Sequence, residues 1–195
     1  MSTEAEARRQ RPVRSMVVAM VVATVAAVGW YYVAKPNDSV RPVQTVDWAT
    51  WVHSGRADHK LVLMSPAALP TGWKATSAEY LTGVAPHWHL GMLTAANKYV
   101  GIEESLDPTE ALISQYVDGH ATRGPDLTLG PDTWHVYSDA GGDYALIRTL
   151  TPPAGGQERL LVYGSAPSQQ IRDFAASLSS TVLPTDTASS DLAGN

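Results

Sequence analysis

The sequence predicts an α+β protein with one transmembrane helix at its N-terminus, followed by one domain in which helices cover an antiparallel sheet. Three observations predict this class. A run without charged side chains, residues 16–34, is long enough to cross the roughly 30 Å hydrocarbon core of a bilayer. Segments of alternating apolar and polar residues follow it in hairpin-like groups. Segments with helical periodicity lie between and after these groups, as in an α+β domain.

The flanks of the apolar run predict its orientation. Four arginines precede it within residues 1–15, whereas Lys35 and Arg41 are the first cations after it. By the positive-inside rule, this asymmetry places the N-terminus in the cytoplasm and the rest of a single-pass protein outside the plasma membrane. The predicted anchor residues are the first of the run and an aromatic group at its outer end, suited to the headgroup layer: Met16, Trp30, Tyr31 and Tyr32.

A cleaved signal peptide is the alternative interpretation of this run. Val25-Ala26-Ala27 fits a small-residue cleavage site loosely, but the apolar run continues past it to the aromatic group. The chain has no cysteine, which excludes a lipoprotein anchor. These features favour a retained transmembrane helix.

Composition limits what the body after this helix can do. The chain has 195 residues and no cysteine, so the body folds without disulfides and cannot use thiolate catalysis or cysteine-ligated metals. Its 10 basic and 17 acidic residues give a formal charge of −7, which argues against nucleic acid as a partner. The predicted organisation is a basic cytoplasmic head at 1–15, the transmembrane helix at 16–34, a linker at 35–42, an extracytoplasmic α+β domain at 43–183 and a disordered tail at 184–195.

Local patterns predict the elements in the first half of the domain. Apolar residues at mixed three- and four-residue steps predict a short helix over 43–53, ended by Gly55. An apolar run predicts a short strand over 61–64. Alternation then predicts three strands, over 73–80, 87–93 and 99–104.

The second half of the domain contains two helices and three strands by the same reasoning. Asp107-Pro108-Thr109-Glu110 supplies an N-cap, a proline and a carboxylate that begin a helix, which Asp118-Gly119 ends. Strands are predicted over 133–137, 144–150 and 159–165, with glycine-rich hairpin connections. Ser168 caps a last helix whose apolar stripe, from Ile171 to Leu178, suits packing on a sheet.

Several short motifs resemble those of a known family. They are Ser65-Pro66 followed by Leu69-Pro70 and Gly72-Trp73, then Trp88-His89-Leu90-Gly91, then a Trp134 strand and a terminal helix after Gly164-Ser165-Ala166. In this order they resemble DUF4245, an actinobacterial family of single-anchor membrane proteins of unknown function. The resemblance runs from the anchor to Leu183. It implies an extracytoplasmic domain on one membrane helix and no assigned reaction.

The succession of elements also resembles the Mog1/PsbP-type fold, a sheet flanked by helices. That resemblance implies a binding or assembly module, although a fold alone does not determine a function.

Five aromatic and imidazole side chains are candidate ligand-binding residues. His87 and His89 share one face of a strand and could chelate Zn²⁺ or Cu²⁺ if His135 approached from a neighbouring strand. The alternative is that His89 makes hydrogen bonds on a half-polar face, His87 is solvated, and the tryptophans pack in the core. We expect no cofactor and no metal site. The candidates are Trp73, Trp88, His89, Trp134 and His135.

No catalytic group can be assigned from the sequence. Glu103 and Glu104 are adjacent on a strand and point to opposite faces, so a solvated acidic edge is expected in place of a carboxylate pair. There is no G-x-S-x-G elbow, and no serine can be paired with its base. We therefore expect that the protein is not an enzyme.

The sequence supports three hypotheses of function. The first is a membrane-tethered, non-catalytic interaction module that serves as an accessory partner of an envelope or membrane protein complex, held on the lipid bilayer by residues 16–34. The second is a small-ligand or metal-binding extracytoplasmic domain. The third and weakest is a hydrolase.

Overall fold

The structure, a computed structural model, describes residues 45–184. Over this range the chain forms an α+β domain with an antiparallel sheet of eight strands and three helices, so the predicted fold class of the domain is confirmed. The head, the apolar run at 16–34 and the linker lie outside the described residues, as does the tail beyond Pro184. None of the helices within 45–184 has the length and apolar character needed to cross a membrane.

The sheet consists of two meanders joined at its centre. The elements in chain order are α1 (Trp48–Asp58), β1 (Lys74–Leu81), β2 (His87–Leu93), β3 (Tyr99–Ser105), α2 (Thr109–Tyr116), β4 (Thr122–Arg123), β5 (Leu127–Leu129), β6 (Asp132–Ser138), β7 (Tyr144–Leu150), β8 (Glu158–Gly164) and α3 (Ser168–Ala176). The strand order is β1-β2-β3-β8-β7-β6-β4, and β5 pairs with β6. β3 and β8 therefore bring the two meanders together.

Helices cover both faces of the sheet, which extends the prediction of a covered sheet. α1 and α3 pack on one face around Trp88 and Phe174, and α2 packs on the other through Leu112 and Ile113. The reason lies in β7 and β8, which carry buried apolar side chains on both faces. Each of these faces must be shielded from water.

The first helix begins and ends later than predicted. Asp47 caps it by accepting a hydrogen bond from the Thr50 N–H at 3.3 Å, so the turn begins at Trp48. Gly55 does not end the helix, which runs on to Asp58. At Gly55 a Cβ would overlap Leu63 and lie 2.8 Å from a ring carbon of Tyr80. This glycine is a point of close packing between helix and sheet.

The apolar segment over 61–64 is not part of the sheet. With Ser65 it forms a segment, here called the strap (residues 61–65), that crosses the α1 side of the domain. One isolated bridge pairs Ser65 with Ser179. The strap residue Leu63 has a φ of 55°, which an extended strand does not allow. Its backbone therefore needs hydrogen-bond partners from side chains.

Two buried carboxylates supply partners for the strap. Glu104 accepts hydrogen bonds from the Leu63 N–H at 2.9 Å and from the Met64 N–H at 2.5 Å. Glu158 accepts from the Val62 N–H at 2.8 Å. Both glutamates are 0% exposed. Burial, followed by the neighbouring Glu158, raises the pKa of Glu104 well above its ordinary value.

The raised pKa of Glu104 indicates that this residue holds a proton that it shares with Glu158. Among the described residues, Glu158 Oε1 is buried without a hydrogen-bond donor, while Glu104 and Glu158 interact directly. A proton carried between them satisfies that oxygen and removes one buried charge.

We expect the substitution Glu158→Gln to stabilise the domain at pH 8 and to have little effect at pH 4. An acid whose folded pKa is raised contributes stability that is present below its ordinary pKa and is lost as the pH rises through the folded value. The amide of the variant can still accept from Val62 and can donate to Glu104, so Glu104 loses the neighbouring carboxylate that raises its pKa and is less costly to ionise. Urea unfolding at both pH values measures this, and equal effects at the two pH values would contradict the shared proton.

The region between α2 and β6 departs most from the prediction. The sequence predicts no strand there, but the region contains β4 and β5, which pair with successive parts of β6. The capping interactions also differ, because α2 and α3 begin after Pro108 and Pro167 without a side-chain cap. Asp107 instead interacts with Ser105.

Candidate functional site

The three candidate tryptophans do not line a cleft. Trp88 and Trp134 are 0% and 1% exposed in the core, and the Trp88 indole N–H donates to the Met64 carbonyl at 3.1 Å. Trp73 is partly buried and stacks on Phe174 with ring centroids 5.3 Å apart. Their positions correspond to the core-packing alternative.

The two candidate histidines lie far apart. His89 is on β2 and His135 is on β6, with β3, β8 and β7 between them, a separation of roughly 19 Å at the usual strand spacing. His135 lies 3.0 Å from an Asp126 oxygen on the exposed sheet edge. Within 45–184 no group of three or more potential ligands is arranged to hold a metal ion. The structure therefore does not bring the five candidate residues together at one site.

A different site lies on the face of the sheet opposite α1 and α3. We call it the histidine face; strand register places on it residues 77, 79 and 81 of β1, residues 87, 89 and 91 of β2, and residues 99, 101 and 103 of β3. Its neighbour α2 packs against β8, which leaves Glu79 and Leu81 exposed. The side chains of His87 and His89 remain 24% and 22% exposed.

Glu103 is the centre of the histidine face. Its Oε2 lies 2.8 Å from His87 Nε2, and its Oε1 lies 2.6 Å from His89 Nδ1. The Tyr163 hydroxyl on β8 donates to the same Oε1 at 3.1 Å. The expectation of a solvated acidic edge is thus wrong for both glutamates, because Glu103 is buried under two histidines and Glu104 is buried under the strap.

Electrostatics keep the Glu103 carboxylate ionised. Burial alone would raise its pKa, but the hydrogen bonds from His87 and His89 outweigh burial and hold the pKa below its ordinary value. The hydrogen bond to Glu103 in turn raises the pKa of His87, against the effect of burial. The alternative interpretation, in which His87 is a solvated residue, is therefore wrong.

Tyrosines complete the network. Tyr116 of α2 stacks on His87 with ring centroids 6.5 Å apart, and burial raises the Tyr116 pKa to about 12. The hydroxyl groups of Tyr99 and Tyr163 lie 3.3 Å apart. Burial raises the pKa values of both Tyr99 and Tyr163, so both hydroxyl groups stay protonated at neutral pH.

A serine that the sequence did not single out also belongs to the site. Ser77 Oγ lies 2.7 Å from His89 Nε2, the ring nitrogen that does not face Glu103. It follows an irregularity between Ala75 and Ser77, where the register of β1 against β2 shifts by one residue. Such a bulge re-aims the next side chain, and no local pattern in the sequence marks it.

Two glycines allow polar side chains to pack directly against the sheet beside this serine. Gly91 and Gly101 lie opposite each other on β2 and β3. A Cβ at Gly91 would overlap Ser77 Oγ and come within 3.0 Å of the Tyr99 hydroxyl. A Cβ at Gly101 would lie 2.6 Å from the Tyr163 ring. The close approach of these polar side chains therefore requires glycine at both positions.

A separate open cavity of about 370 Å³ lies at the start of α3. Lys98, Tyr144 and Ser168 are among its lining residues, together with Asp139 and Asp143 of the β6–β7 connection. It contains none of the candidate residues and does not reach the histidine face.

We expect His87 to have a higher pKa than a free histidine. The substitution Glu103→Gln should bring this pKa back towards 6.5. The stability that His87 contributes to the folded state is present below pH 6.5 and is lost as the pH rises through its raised folded pKa. The stability that Glu103 contributes is present above pH 4.5 and is lost as the pH falls through its lowered folded pKa. The network therefore contributes most between these two values. NMR titration of the imidazole signals measures the first effect, and an unchanged His87 pKa in the variant would contradict the assignment.

The fold and the site define a class: an α+β domain with a buried glutamate and two histidines on an otherwise uncovered part of its sheet. The chain belongs to the family described as protein of unknown function (DUF4245), whose model matches residues 8–178. The family resemblance is thereby confirmed. Comparisons with curated proteins and with solved structures gave no match. The actinobacterial origin and the Mog1/PsbP-like fold stay predictions.

Proposed function

We propose that this protein is a single-pass plasma-membrane protein whose extracytoplasmic domain binds another envelope or membrane protein through the histidine face. One observation carries the proposal: this face combines prearranged polar groups with exposed apolar side chains, while α2 packs on β7 and β8 and reaches this face through Tyr116. Binding of this kind needs no chemical reaction.

The polar and apolar parts of the face adjoin one another. The hydrogen bonds to Glu103 hold His87 and His89 in fixed orientations, which lowers the conformational entropy lost on binding. At the His87 end, Leu81 is 47% exposed, Val84 in the β1–β2 connection is 100% exposed, and Leu106 after β3 is 43% exposed. Apolar contacts beside oriented hydrogen-bonding groups are characteristic of protein–protein interfaces.

A tether supports this assignment. In the proposal, residues 16–34 cross the bilayer with the N-terminus in the cytoplasm, so the domain is confined near other membrane proteins and a modest affinity suffices. The family model begins at residue 8 and ends at residue 178, so it includes both this segment and the domain. The acidic charge of the body argues against a nucleic-acid partner.

The second hypothesis, a ligand or metal site built from the two Trp/His strands, receives no support from the strand order. It requires β2 and β6 to be neighbours, and three strands separate them.

The test is affinity purification of the full-length protein in mild detergent, with mass spectrometry of the proteins that accompany it. We expect a stoichiometric membrane or envelope protein with the wild type and its loss with Leu81→Asp combined with Leu106→Asp. Trp51→Asp is the matched control, because Trp51 is 39% exposed on α1, across the sheet. A chain that starts at Lys35 should recover less of the partner.

Circular dichroism and thermal unfolding must show that each variant remains folded. Two results would contradict the proposal: no stoichiometric partner with the wild type, or a partner that Trp51→Asp removes and the Leu81/Leu106 variant keeps.

A further inference from the structure

Ser77, His89 and Glu103 form a continuous line of hydrogen bonds across β1, β2 and β3. Ser77 Oγ is 2.7 Å from His89 Nε2, and His89 Nδ1 is 2.6 Å from Glu103 Oε1. With Glu103 ionised, a neutral His89 donates its Nδ1–H to the carboxylate and leaves Nε2 to accept the Ser77 proton. This is the arrangement in which a histidine acts as general base for a serine nucleophile.

From this geometry we propose that Ser77 is a nucleophile for acyl transfer, with His89 as its general base and Glu103 as the residue that positions His89. The proposal goes beyond binding. The sequence alone pairs no serine with a base, whereas the fold brings Ser77 and His89 together as such a pair. His87 and Tyr163 hold Glu103 in place and are positioning residues as well.

Gly91 lies directly beneath the groups that would take part in the reaction. The position that a Cβ would take at Gly91 lies 3.0 Å from the Tyr99 hydroxyl and 3.2 Å from His89 Nε2, and closer still to Ser77 Oγ. Because Gly91 has no side chain, the nucleophile, the base and a hydroxyl donor converge above it. A side chain at position 91 would push these three groups apart.

Tyr99 is the donor for the developing oxyanion. The Tyr163 hydroxyl donates to Glu103, so in the Tyr99–Tyr163 contact the Tyr99 hydroxyl is the donor. Its raised pKa keeps that proton in place at neutral pH. When a substrate is bound, this O–H turns from Tyr163 to the oxyanion and stabilises the transition state.

The reaction for an ester balances without a further reagent except water. Ser77 Oγ attacks the carbonyl carbon while its proton passes to His89 Nε2, and a tetrahedral oxyanion forms. The bond to the alkoxy oxygen breaks, and the alcohol leaves with the proton from His89. Water, deprotonated by His89, then attacks the acyl group on Ser77, which releases the carboxylic acid and restores the serine.

The surroundings indicate the substrate class. Glu79 lies opposite His89 on β1, and Asp107 lies close enough to His87 to favour its charged form. These carboxylates disfavour anionic substrates. The exposed Leu81 and Val84 suit a short apolar group. The inferred substrate is therefore an uncharged ester with a short acyl chain.

The test uses the full-length protein in mild detergent with two probes, a fluorophosphonate and p-nitrophenyl butyrate. We expect a covalent adduct located at Ser77 by peptide mass spectrometry, and ester hydrolysis, both absent in Ser77→Ala. Ser114→Ala, an exposed serine on α2, is the matched control and should react like the wild type. His89→Ala should slow labelling by about 10²- to 10⁴-fold, the usual contribution of a general base.

One further readout separates a positioning role from a merely structural one. Glu103→Gln should change the pH profile of the labelling rate, since an amide fixes the imidazole differently. No adduct at Ser77 in the folded wild type, or equal labelling of Ser77→Ala, would overturn the proposal. Recovery of the membrane partner is measured by affinity purification without either probe, so the failure of one proposal does not decide the other.

Discussion

Replacing Glu104 with alanine is expected to lower the free energy of unfolding by about 2–6 kcal/mol, because two buried N–H groups of the strap would lose their acceptors at about 1–3 kcal/mol each. The two groups are the N–H donors of Leu63 and Met64. Both residues are buried, so water cannot replace the carboxylate without entering the core.

Guanidinium unfolding, followed by tryptophan fluorescence, measures this effect. Glu79→Ala is the matched control, because Glu79 is exposed on the same sheet and its loss should change stability by no more than about 0.5 kcal/mol. Amide hydrogen exchange should show faster exchange at Leu63 and Met64 in the Glu104 variant. A loss below about 1 kcal/mol would contradict the role assigned to Glu104.

The second large effect is expected from Arg56→Met, which removes the side chain that binds the carbonyl groups around the strap. Arg56 donates to the Leu63 carbonyl at 3.2 Å, the Ser179 carbonyl at 2.7 Å and the Val182 carbonyl at 2.7 Å. It also donates to Ser65 Oγ at 2.9 Å. Methionine keeps much of the volume and provides none of these donors, so we expect a loss of about 3–5 kcal/mol.

Limited proteolysis and thermal unfolding test this expectation together. The strap and the segment after α3 should become accessible to protease, since Arg56 connects the two. Arg123→Met is the control, because its pair with Asp126 is about half exposed and contributes at most about 1 kcal/mol. Equal losses of stability in the two variants would contradict the role of Arg56 in joining the strap to the segment after α3.

Much of the sheet follows from local patterns in the sequence. The bounds of β2 and β7 are those predicted from alternation, and the other long strands differ by one or two residues. Alternation succeeds here because each strand has at least one face that must be buried. β4 and β5 are too short for a periodic signal, and only their pairing with β6 defines them.

Less of the site than of the sheet could be predicted from the sequence, because its contacts join residues that lie far apart in the chain. Alternation correctly placed Glu103 and Glu104 on opposite faces, but not their burial, because each depends on partners more than a dozen residues away in the chain. Ser77 meets His89 only through the irregular pairing of β1 with β2. Likewise, Gly55 looks like a helix end until the close approach of Leu63 and Tyr80 is known.

Photo-crosslinking in intact cells tests directly whether the histidine face binds a partner protein. A photoreactive amino acid is placed at Glu79, exposed on the histidine face, or at Asp173, exposed on α3 on the other side of the sheet. The account predicts a crosslink from position 79 to one envelope or membrane protein, and none to that protein from position 173. A crosslink to the same protein from position 173 alone, or none from position 79 in the folded protein, would contradict the claim that the histidine face is the binding surface.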